Sequence, residues 1–247
     1  MTASFHRARY GVRIAQGADD LAACQALRHQ CFFNRPGIDA DGHDAGCIHV
    51  MIAGDAGMVA TFRVMVLPSG AALSDSYAAG VYDLTALSGY SRPMLEIGRF
   101  CVARTALDAD VLRLAWGALA GFVDAHDIGL MIGCSSFRGA DPRVHAPALA
   151  VLGARHIGPP DLIPGVRAPV TVPLGGPVRD RRAGLAGLPS LLRGYLGLGG
   201  WVGDHAVVDT TLDTLHVFTA VPVEGIPPAR ARALRHLAQG SGISADI

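Results

Sequence analysis

The stretch LEIGRFCV, Leu95–Val102, lies within Met94–Ala103, a run with the composition of a strand. Apolar residues at helical spacing follow over residues 109–126, and Leu130–Cys134 reads as a buried strand. A strand, a helix and a second strand in this order predict a parallel step within a sheet. We therefore expect an α/β protein whose mixed central sheet is flanked by helices.

Elements on either side of this stretch extend the same architecture. Before it, the pattern predicts a strand at Tyr10–Ala15, a helix from about Asp19 with an aspartate cap, hairpin strands at Cys47–Ala53 and Val59–Leu67, and a short helical piece at Val81–Leu87. After it, the pattern predicts helices at Asp141–Gly153, from Leu188 and from about Pro228, and strands at Ala206–Val208 and Leu215–Val221. We expect a single domain over residues 1–247, with about 160–247 packed on it and completing the same sheet.

Composition excludes several classes of function. The chain has 247 residues, half of them hydrophobic, and a formal net charge of zero, which indicates a globular protein without a nucleic-acid partner. All basic residues counted as Lys or Arg are arginines, so a Schiff-base lysine and a phosphate-binding lysine of the Walker type are both excluded. Glutamate occurs only at Glu96 and Glu224.

Cysteine usage and hydropathy bear on the compartment. The five cysteines are odd in number and have no C-x-x-C spacing, which argues for a reducing environment and against a zinc site. The N-terminus lacks the apolar run of a secretion signal, so we expect a cytoplasmic protein. The apolar stretch Leu188–Val202 leaves open a peripheral contact with the inner face of the membrane, with Tyr195 and Trp201 as anchors, but core packing is the favoured interpretation.

Glu96, Arg99 and Cys101 form the first candidate site. In a regular strand Glu96 faces one side of the sheet while Arg99 and Cys101 face the other, unless a bulge shifts the alternation. A bulge would also present backbone N–H groups to a thioester carbonyl, and a carboxylate can remove the proton from an attacking amine. A purely structural Glu–Arg pair is an equally good interpretation from these residues alone.

The second candidate is the acidic segment IDADGHDAGCIH, Ile38–His49. It contains carboxylates and histidines that would suit a metal ion or a cationic substrate, namely Asp39, Asp41, His43, Asp44 and His49. Its spacing lacks the terminal glutamate of a calcium loop, so we predict no metal site. A solvated loop is the alternative.

The third candidate is GCSSFRGAD, Gly133–Asp141, where a strand enters a turn of small residues. Small side chains permit close approach of an extended ligand such as a pantetheine arm. The candidate acyl-pantetheine contacts are Cys101, Val102, Cys134, Ser135, Ser136 and Phe137. The segment does not match G-x-S-x-G, so a nucleophile elbow is not expected, and Cys134 is better read as structural than as a nucleophile.

The segment ARTALDADVLRLAW, Ala103–Trp116, contains no glycine. Acetyltransferases of the GNAT type that use coenzyme A carry a glycine-rich pyrophosphate loop at this point of the fold. Without that backbone cradle, an acyl carrier protein is the favoured donor, since it presents the same thiol arm without a pyrophosphate-linked nucleotide.

Four segments carry a resemblance that covers about Arg28–Val221: ATFRVM, LEIGRFCV, IGCSSF and PSLLRGYLGLGGWVGDHAVVDTTLDTLHVF. Together they resemble the ornithine N-acyltransferases of bacterial ornithine-lipid synthesis, which are GNAT-like enzymes related to the acyl-homoserine-lactone synthases. The resemblance implies transfer of a 3-hydroxyacyl chain from acyl carrier protein to the α-amine of L-ornithine, giving lyso-ornithine lipid. It also implies that no cofactor is needed beyond the 4'-phosphopantetheine of the carrier.

The resemblance assigns roles residue by residue. Glu96 matches the expected base and Arg99 belongs to the same signature, while the matched residues of the amino-acid pocket are Arg28, Phe32, Asp41, Asp44 and Arg63, with His49 completing the acidic motif. A guanidinium suits an α-carboxylate and a carboxylate suits a δ-ammonium, so Arg63 or Arg99 is expected to bind the former and Asp41 or Asp44 the latter. His43 stands where an aromatic residue is expected.

Alternatives concern the acceptor and the partner. Some relatives in the family that the chain resembles use glutamine in place of ornithine, an autoinducer synthase would use S-adenosylmethionine, and a carrier-binding protein would lack activity altogether. The long C-terminal motif argues against the second and the retained Glu96 and Arg99 against the third. Because acyl carrier proteins are acidic, docking is expected at Arg179, Arg181 and Arg182 or at Arg230, Arg232 and Arg235, with a merely solvated face as the alternative for each.

Overall fold

The computed structural model describes residues 9–104 and 109–240, without the side chains of residues 239 and 240. The described residues group into two compact units. The first lies within Met1–Val64, Arg99–Ala125 and Ala231–Ile247, and the second within Met65–Gly98 and His126–Arg230. The expectation of one domain with an extension at about 160–247 stays a prediction.

The first unit begins with a three-stranded antiparallel arrangement. Its elements are β1 (Tyr10–Ile14), α1 (Gly17–Phe33), β2 (Ile48–Gly54) and the first part of β3 (Gly57–Leu67). Strand β2 pairs with β1 on one side and with β3 on the other, and Gly54 faces Gly57 across the hairpin turn. The predicted hairpin is therefore confirmed.

Helix α1 starts earlier than its sequence indicated. It begins at Gly17 after Gln16, and Gly17 has a φ of 74°, a left-handed conformation that glycine adopts without steric cost. Asp19 is not its cap. The neighbouring Asp20 instead accepts a hydrogen bond from the Gln16 N–H at 2.8 Å and pairs with Arg13.

The rest of the first unit comprises the end of β5 (Met94–Val102), α3 (Ala109–Ala125) and most of α7 (Pro228–Gly240). Just beyond β5, the N–H of Ala103 donates to the carbonyl of Val59 on β3 at 2.8 Å. Phe100 of β5 stacks on Phe62 of β3, with ring centroids 5.3 Å apart. Helix α3 packs against β1 and β2, as expected for a helix that covers a sheet.

The second unit contains the parallel step. Its strands are the first part of β5, β6 (Leu130–Arg138), β8 (Thr171–Pro173), β9 (Trp201–Asp209) and β10 (Thr214–Pro222), with a separate pair formed by β4 (Tyr82–Asp83) and β7 (Gly165–Val166). Strands β5 and β6 run parallel, while β6–β10, β10–β9 and β9–β8 are antiparallel. The predicted mixed sheet, and the prediction that C-terminal strands extend it, are confirmed.

Helices cover this sheet. They are α2 (Tyr77–Val81), α4 (Pro142–Arg155), α5 (Arg181–Ala186) and α6 (Ser190–Gly197). Asp141 caps α4 through a hydrogen bond from the Arg143 N–H, as the Asp-Pro sequence predicted. The helical piece predicted at Val81–Leu87 is wrong in position, because α2 ends at Val81 and a 3-10 turn occupies Thr85–Leu87.

The core of the second unit accounts for the apolar stretch that suggested a membrane contact. The residues of this core include Phe137, Leu152, Leu192, Val202, Leu215 and Val217. Tyr195 and Trp201 are both buried, with 6% and 7% of their surface exposed, so the favoured core interpretation of Leu188–Val202 is confirmed. Among the described residues, no helix is long and apolar enough to cross a membrane.

Candidate active site

Six charged side chains of the first unit form a closed ring in which arginines and aspartates alternate. In order around the ring they are Asp39, Arg28, Asp44, Arg63, Asp41 and Arg99. Each arginine pairs with two aspartates and each aspartate with two arginines. The ring therefore carries no net charge, and it joins α1, the 39–44 loop, β3 and β5.

Arg28 closes the buried side of the ring. Its guanidinium donates to both carboxylate oxygens of Asp44, at 2.8 and 2.9 Å, and its Nε donates to Asp39 Oδ2 at 2.9 Å. A further hydrogen bond runs from Arg28 Nη2 to the backbone carbonyl of Asp39. Arg28 is 1% exposed, and a charged residue on α1 can lie in the interior because these oxygen atoms pair with it.

Arg63 bridges the two aspartates predicted to bind the substrate. It donates to both oxygens of Asp41, at 2.6 and 2.8 Å, and to Asp44 Oδ1 at 2.5 Å. Burial alone would lower the pKa of Arg63, but these hydrogen bonds raise it above its ordinary value. The bidentate contact with Asp41 has the fork geometry in which arginine and carboxylate fit best.

Arg99 completes the ring from β5. Its Nε donates to Asp39 Oδ2 and its Nη2 to Asp41 Oδ2, both at 3.0 Å, and the guanidinium lies 5.9 Å from the centroid of the Phe32 ring. Arg99 has a φ of 51°, in the left-handed region that side chains other than glycine seldom adopt. The regular alternation of β5 is thus interrupted at this residue, which is the exception that the sequence left open.

The ring is buried on one side and more open on the other. Side-chain exposure is 1–7% for Arg28, Arg63 and Asp44, but 22% for Asp41. Although burial raises it, hydrogen bonds from Arg28, Gln25 and Arg63 hold the pKa of Asp44 well below its usual range. Burial likewise raises the pKa of Asp41, and Arg63 and Arg99 outweigh that effect and lower it. Both aspartates are therefore carboxylates at neutral pH.

His49 and Gln25 support the ring from its buried side. His49 Nε2 lies 3.1 Å from the backbone carbonyl of Asp44 and must carry the proton, since a carbonyl only accepts. Burial lowers the pKa of His49, so the imidazole is neutral near pH 7. Gln25 donates to Asp44 Oδ2 at 2.9 Å. The acidic segment is thus satisfied by arginine, histidine and glutamine partners.

Glu96 lies in the second unit, on the parallel-paired part of β5. Its two carboxylate oxygens accept hydrogen bonds at 2.8 Å from the N–H groups of Tyr77 and Ala78, which open helix α2. Glu96 is 5% exposed. The first N–H groups of a helix have no partner within the helix, so Glu96 satisfies two of them and is held in a fixed orientation.

The candidate acyl-pantetheine contacts are divided by the alternation of β6. Phe137 packs in the core of the second unit, and Ser135 is buried and hydrogen-bonded to Thr219 Oγ1 at 2.9 Å. Cys134 is half-buried and Ser136 is exposed on the other face. The parallel pairing of β5 with β6 covers Met94–Ile97 and Leu130–Gly133, whereas β6 continues along β10 to Arg138.

In the first unit, a hydrogen bond to Cys31 and burial raise the pKa of the Cys101 thiol well above its ordinary value. The Cys101 thiol is therefore buried and neutral at neutral pH. The Cys31 thiol also lies 3.5 Å from the backbone carbonyl of Val102. In the glycine-free segment, residues 105–108 lie outside the described residues.

The sequence pattern placed Asp39 in the acidic candidate segment but not among the residues of the amino-acid pocket, and it did not single out Gln25. Asp39 stood in the acidic segment but outside the motif positions of the resemblance, and its two arginine partners come from α1 and β5. Gln25 lies one helical turn before Arg28 on the same face of α1, and that spacing was the available signal.

Comparisons with known proteins agree with this architecture. The model of the acetyltransferase (GNAT) domain family matches residues 24–117. The chain is 30% identical to the L-ornithine N(alpha)-acyltransferase of Rhodobacter capsulatus, covering 94% of this chain and 97% of that protein. It is 31% identical to the protein of the same name from Brucella abortus, covering 87% and 85%. Among solved structures, the N-acyl amino acid synthase FeeM from uncultured soil microbes is 14% identical over 94% of this chain and 98% of that chain, with a TM-score of 0.46.

The predicted fold class and family are both confirmed, because the GNAT model matches residues 24–117 and the two curated relatives match 94% and 87% of the chain. The chain is an acyltransferase, and it belongs to the family of the L-ornithine N(alpha)-acyltransferases with their GNAT domain.

Proposed function

We propose that the chain transfers a 3-hydroxyacyl group from acyl carrier protein to the α-amine of L-ornithine, giving lyso-ornithine lipid. Membership of the family is the observation that carries this proposal, because the relatives are named for ornithine N-acylation. The first unit's charged ring supplies groups of the right sign for an amino acid, with carboxylates for its ammonium groups and guanidinium groups for its carboxylate.

Exposure narrows the choice of binding residues. Asp44 and Arg63 lie in the buried half of the ring. Asp41 is the aspartate of the ring with the largest exposed fraction, and Arg99 is the arginine with the largest. We assign the δ-ammonium of ornithine to Asp41 and the α-carboxylate to Arg99. Asp44 and Arg63 then hold Asp41 in place, through the Asp41 N–H and the bidentate contact of Arg63.

Amide formation needs a deprotonated amine and a polarised thioester. In the proposed reaction Glu96 accepts the α-ammonium proton, directly or through a water molecule, and the amine nitrogen then attacks the thioester carbon. Each carboxylate oxygen of Glu96 accepts one backbone hydrogen bond, and the pair of bonds fixes the orientation of the carboxylate. In the proposed reaction, backbone N–H groups at the interruption of β5 stabilise the developing oxyanion. The C–S bond then breaks as the nitrogen loses its second proton, which passes to the leaving sulfur and gives the amide and the carrier thiol.

The carrier is the proposed donor because the segment that should hold the coenzyme A pyrophosphate contains no glycine. No cofactor of the chain's own enters this scheme. The carrier delivers the acyl chain on its 4'-phosphopantetheine.

The test is to incubate the pure protein with 3-hydroxyacyl carrier protein and a panel of acceptors, and to identify the products by mass spectrometry. The panel contains L-ornithine, L-glutamine and S-adenosylmethionine, and a parallel series replaces the carrier with coenzyme A. We expect Nα-acylated ornithine from the carrier. Acylation of glutamine and not of ornithine would show that glutamine is the acceptor. Formation of an acyl-homoserine lactone would indicate an autoinducer synthase. The absence of product from every acceptor would refute the proposal.

A further inference from the structure

The carboxylate, the backbone N–H and the backbone carbonyl of Asp39 all make hydrogen bonds. Its Oδ2 accepts from the Nε groups of both Arg28 and Arg99, at 2.9 and 3.0 Å, and its N–H donates to the Gln25 carbonyl at 3.1 Å. Its own carbonyl accepts from Arg28 Nη2. One carboxylate oxygen therefore joins the ends of two arginine side chains that come from α1 and β5.

The arginine that Asp39 holds has an unfavourable backbone conformation. Arg99 has a φ of 51° in the middle of a strand, and such a residue persists only where its surroundings impose it. The next residue, Phe100, is stacked on Phe62. The side chain of Arg99 is held at its far end by Asp39 and Asp41, and these contacts favour the left-handed form over a return to the extended form.

We propose that Asp39 is a positioning residue, which acts through the Arg99 side chain to fix the left-handed interruption of β5. This inference rests on the proposed function, in which the peptide groups at the interruption polarise the thioester. Asp39 itself touches neither substrate nor reacting atoms in this scheme. Its contribution is to the placement of the oxyanion donors.

Replacement of Asp39 leaves the rest of the ring connected. Arg28 keeps its bidentate pairing with Asp44, and Arg99 keeps its contact with Asp41. The ring opens only between Arg28 and Arg99. The variant D39N is therefore expected to fold, with a carboxamide of the same shape in place of the carboxylate.

The kinetic test is a double-mutant cycle with D39N, R99G and D39N/R99G. Glycine adopts a φ of 51° freely, so R99G keeps the backbone form without the side chain. We expect D39N to lower kcat by roughly 10²-fold with little change in the KM for the amino acid, since small displacements of catalytic groups have effects of that size. In the R99G background, D39N should have no further effect. An equal drop in both backgrounds would show that Asp39 acts independently of Arg99 and would overturn the proposal.

A second readout does not depend on activity and separates this inference from the proposed function. In spectra of protein with ¹⁵N-labelled arginine, D39N should shift the Nε–H signals of Arg28 and Arg99, and speed their exchange with solvent. The backbone amide signal of Arg99 should move as well. The control is D110N, which removes an exposed carboxylate that pairs with Arg113 on α3 of the same unit. Unchanged Arg99 signals in D39N would refute the positioning role, even if no acceptor is acylated by the unmodified protein.

Discussion

The guanidinium of Arg28 donates to both carboxylate oxygens of Asp44, at 2.8 and 2.9 Å, in the buried half of the charged ring. Both side chains have less than a tenth of their surface exposed. Removing one partner of such a pair leaves an uncompensated buried charge, which is far more costly than the loss of an exposed ion pair. The pair therefore stabilises the site that the more exposed members of the ring use.

We predict that D44N lowers the free energy of unfolding by about 3 kcal/mol, the lower end of the range for breaking a buried pair, because Arg28 and Arg63 each keep another aspartate. Urea unfolding followed by circular dichroism measures this change. The matched control is D124N, which removes the exposed partner of Arg235 and should cost less than about 1 kcal/mol. Equal losses in the two variants would mean that Asp44 is not buried as described.

Asp41 should separate binding from stability. We predict that D41N raises the KM for L-ornithine by roughly 10- to 100-fold, as expected for loss of a hydrogen bond to a charged group, with a smaller loss of stability than D44N. The reason is its greater exposure, 22% against 7% for Asp44. Steady-state kinetics at saturating acyl carrier protein gives the KM. A variant with normal KM and reduced kcat would move Asp41 from substrate binding to another role.

The sequence predicted the helices and strands better than it predicted which side chains contact each other. The hairpin of β2 and β3, the strand β5 and the helix α3 follow from local periodicity and were placed within a few residues. Strand β9 was placed at Ala206 but begins at Trp201, because Gly199, Gly200 and Gly203 make its first half look like a loop. Short helices such as α5 have too few turns to show a period.

The candidate site shows the same division. Every ring residue except Asp39 was named from motifs, but the ring itself joins residues from four separate elements, and such pairings have no local signal. The hydrogen bonds of Glu96 to the N-terminus of α2 were missed for a related reason. The sequence pattern predicts the helical piece at Val81–Leu87, whereas α2 begins at Tyr77, so the prediction did not include the N–H groups that contact Glu96.

His49 gives the protein a specific pH dependence. Burial lowers its pKa in the folded state below the ordinary value of about 6.5, so the unfolded chain binds a proton first as pH falls. Its stabilising effect is complete above about pH 6.5 and is lost as pH falls from there through the lowered pKa. Protonation would also place a positive charge close to Arg28 and Arg63, which oppose it, while Asp44 favours it.

We predict that H49Q flattens this dependence, since glutamine can keep the donor to the Asp44 carbonyl without titrating. The measurement is urea unfolding at several pH values from about 7.5 to about 5, with the difference between the two proteins taken at each pH. His156, whose pKa is also lowered by burial, contributes equally to both proteins and cancels in that difference. Parallel stability curves for the two proteins would show that His49 does not titrate differently on folding.

Glu96 should affect chemistry more than binding if it is the base. We predict that E96Q lowers kcat by 10²- to 10⁴-fold, the usual contribution of a general base, and removes the acidic limb of the pH–rate profile. Some stability will also be lost, because an amide nitrogen cannot accept the hydrogen bond from Tyr77 or Ala78. Activity is therefore compared at equal folded fraction, established by circular dichroism. Retention of the acidic limb in E96Q would assign the base elsewhere.

The carrier should dock on the arginines at the start of α5. Arg179, Arg181 and Arg182 are exposed, and no ion pair to another described residue engages them, whereas Arg235 on α7 already pairs with Asp124. Free guanidinium groups attract an acidic protein more strongly than neutralised ones. We predict that R181E/R182E raises the KM for acyl carrier protein roughly 10-fold. Added salt should raise this KM more for the unmodified protein than for the variant.

A small donor provides the decisive control for this docking surface. An acyl-pantetheine thioester carries the reactive arm without the acidic protein, so R181E/R182E should use it as well as the unmodified enzyme does. The charge-matched variant R230E/R232E on α7 should leave the KM for acyl carrier protein nearly unchanged if α5 is the docking surface. If R230E/R232E has the larger effect, the surface lies on α7. If R181E/R182E impairs both donors equally, these arginines act on the fold or the chemistry and not on the carrier.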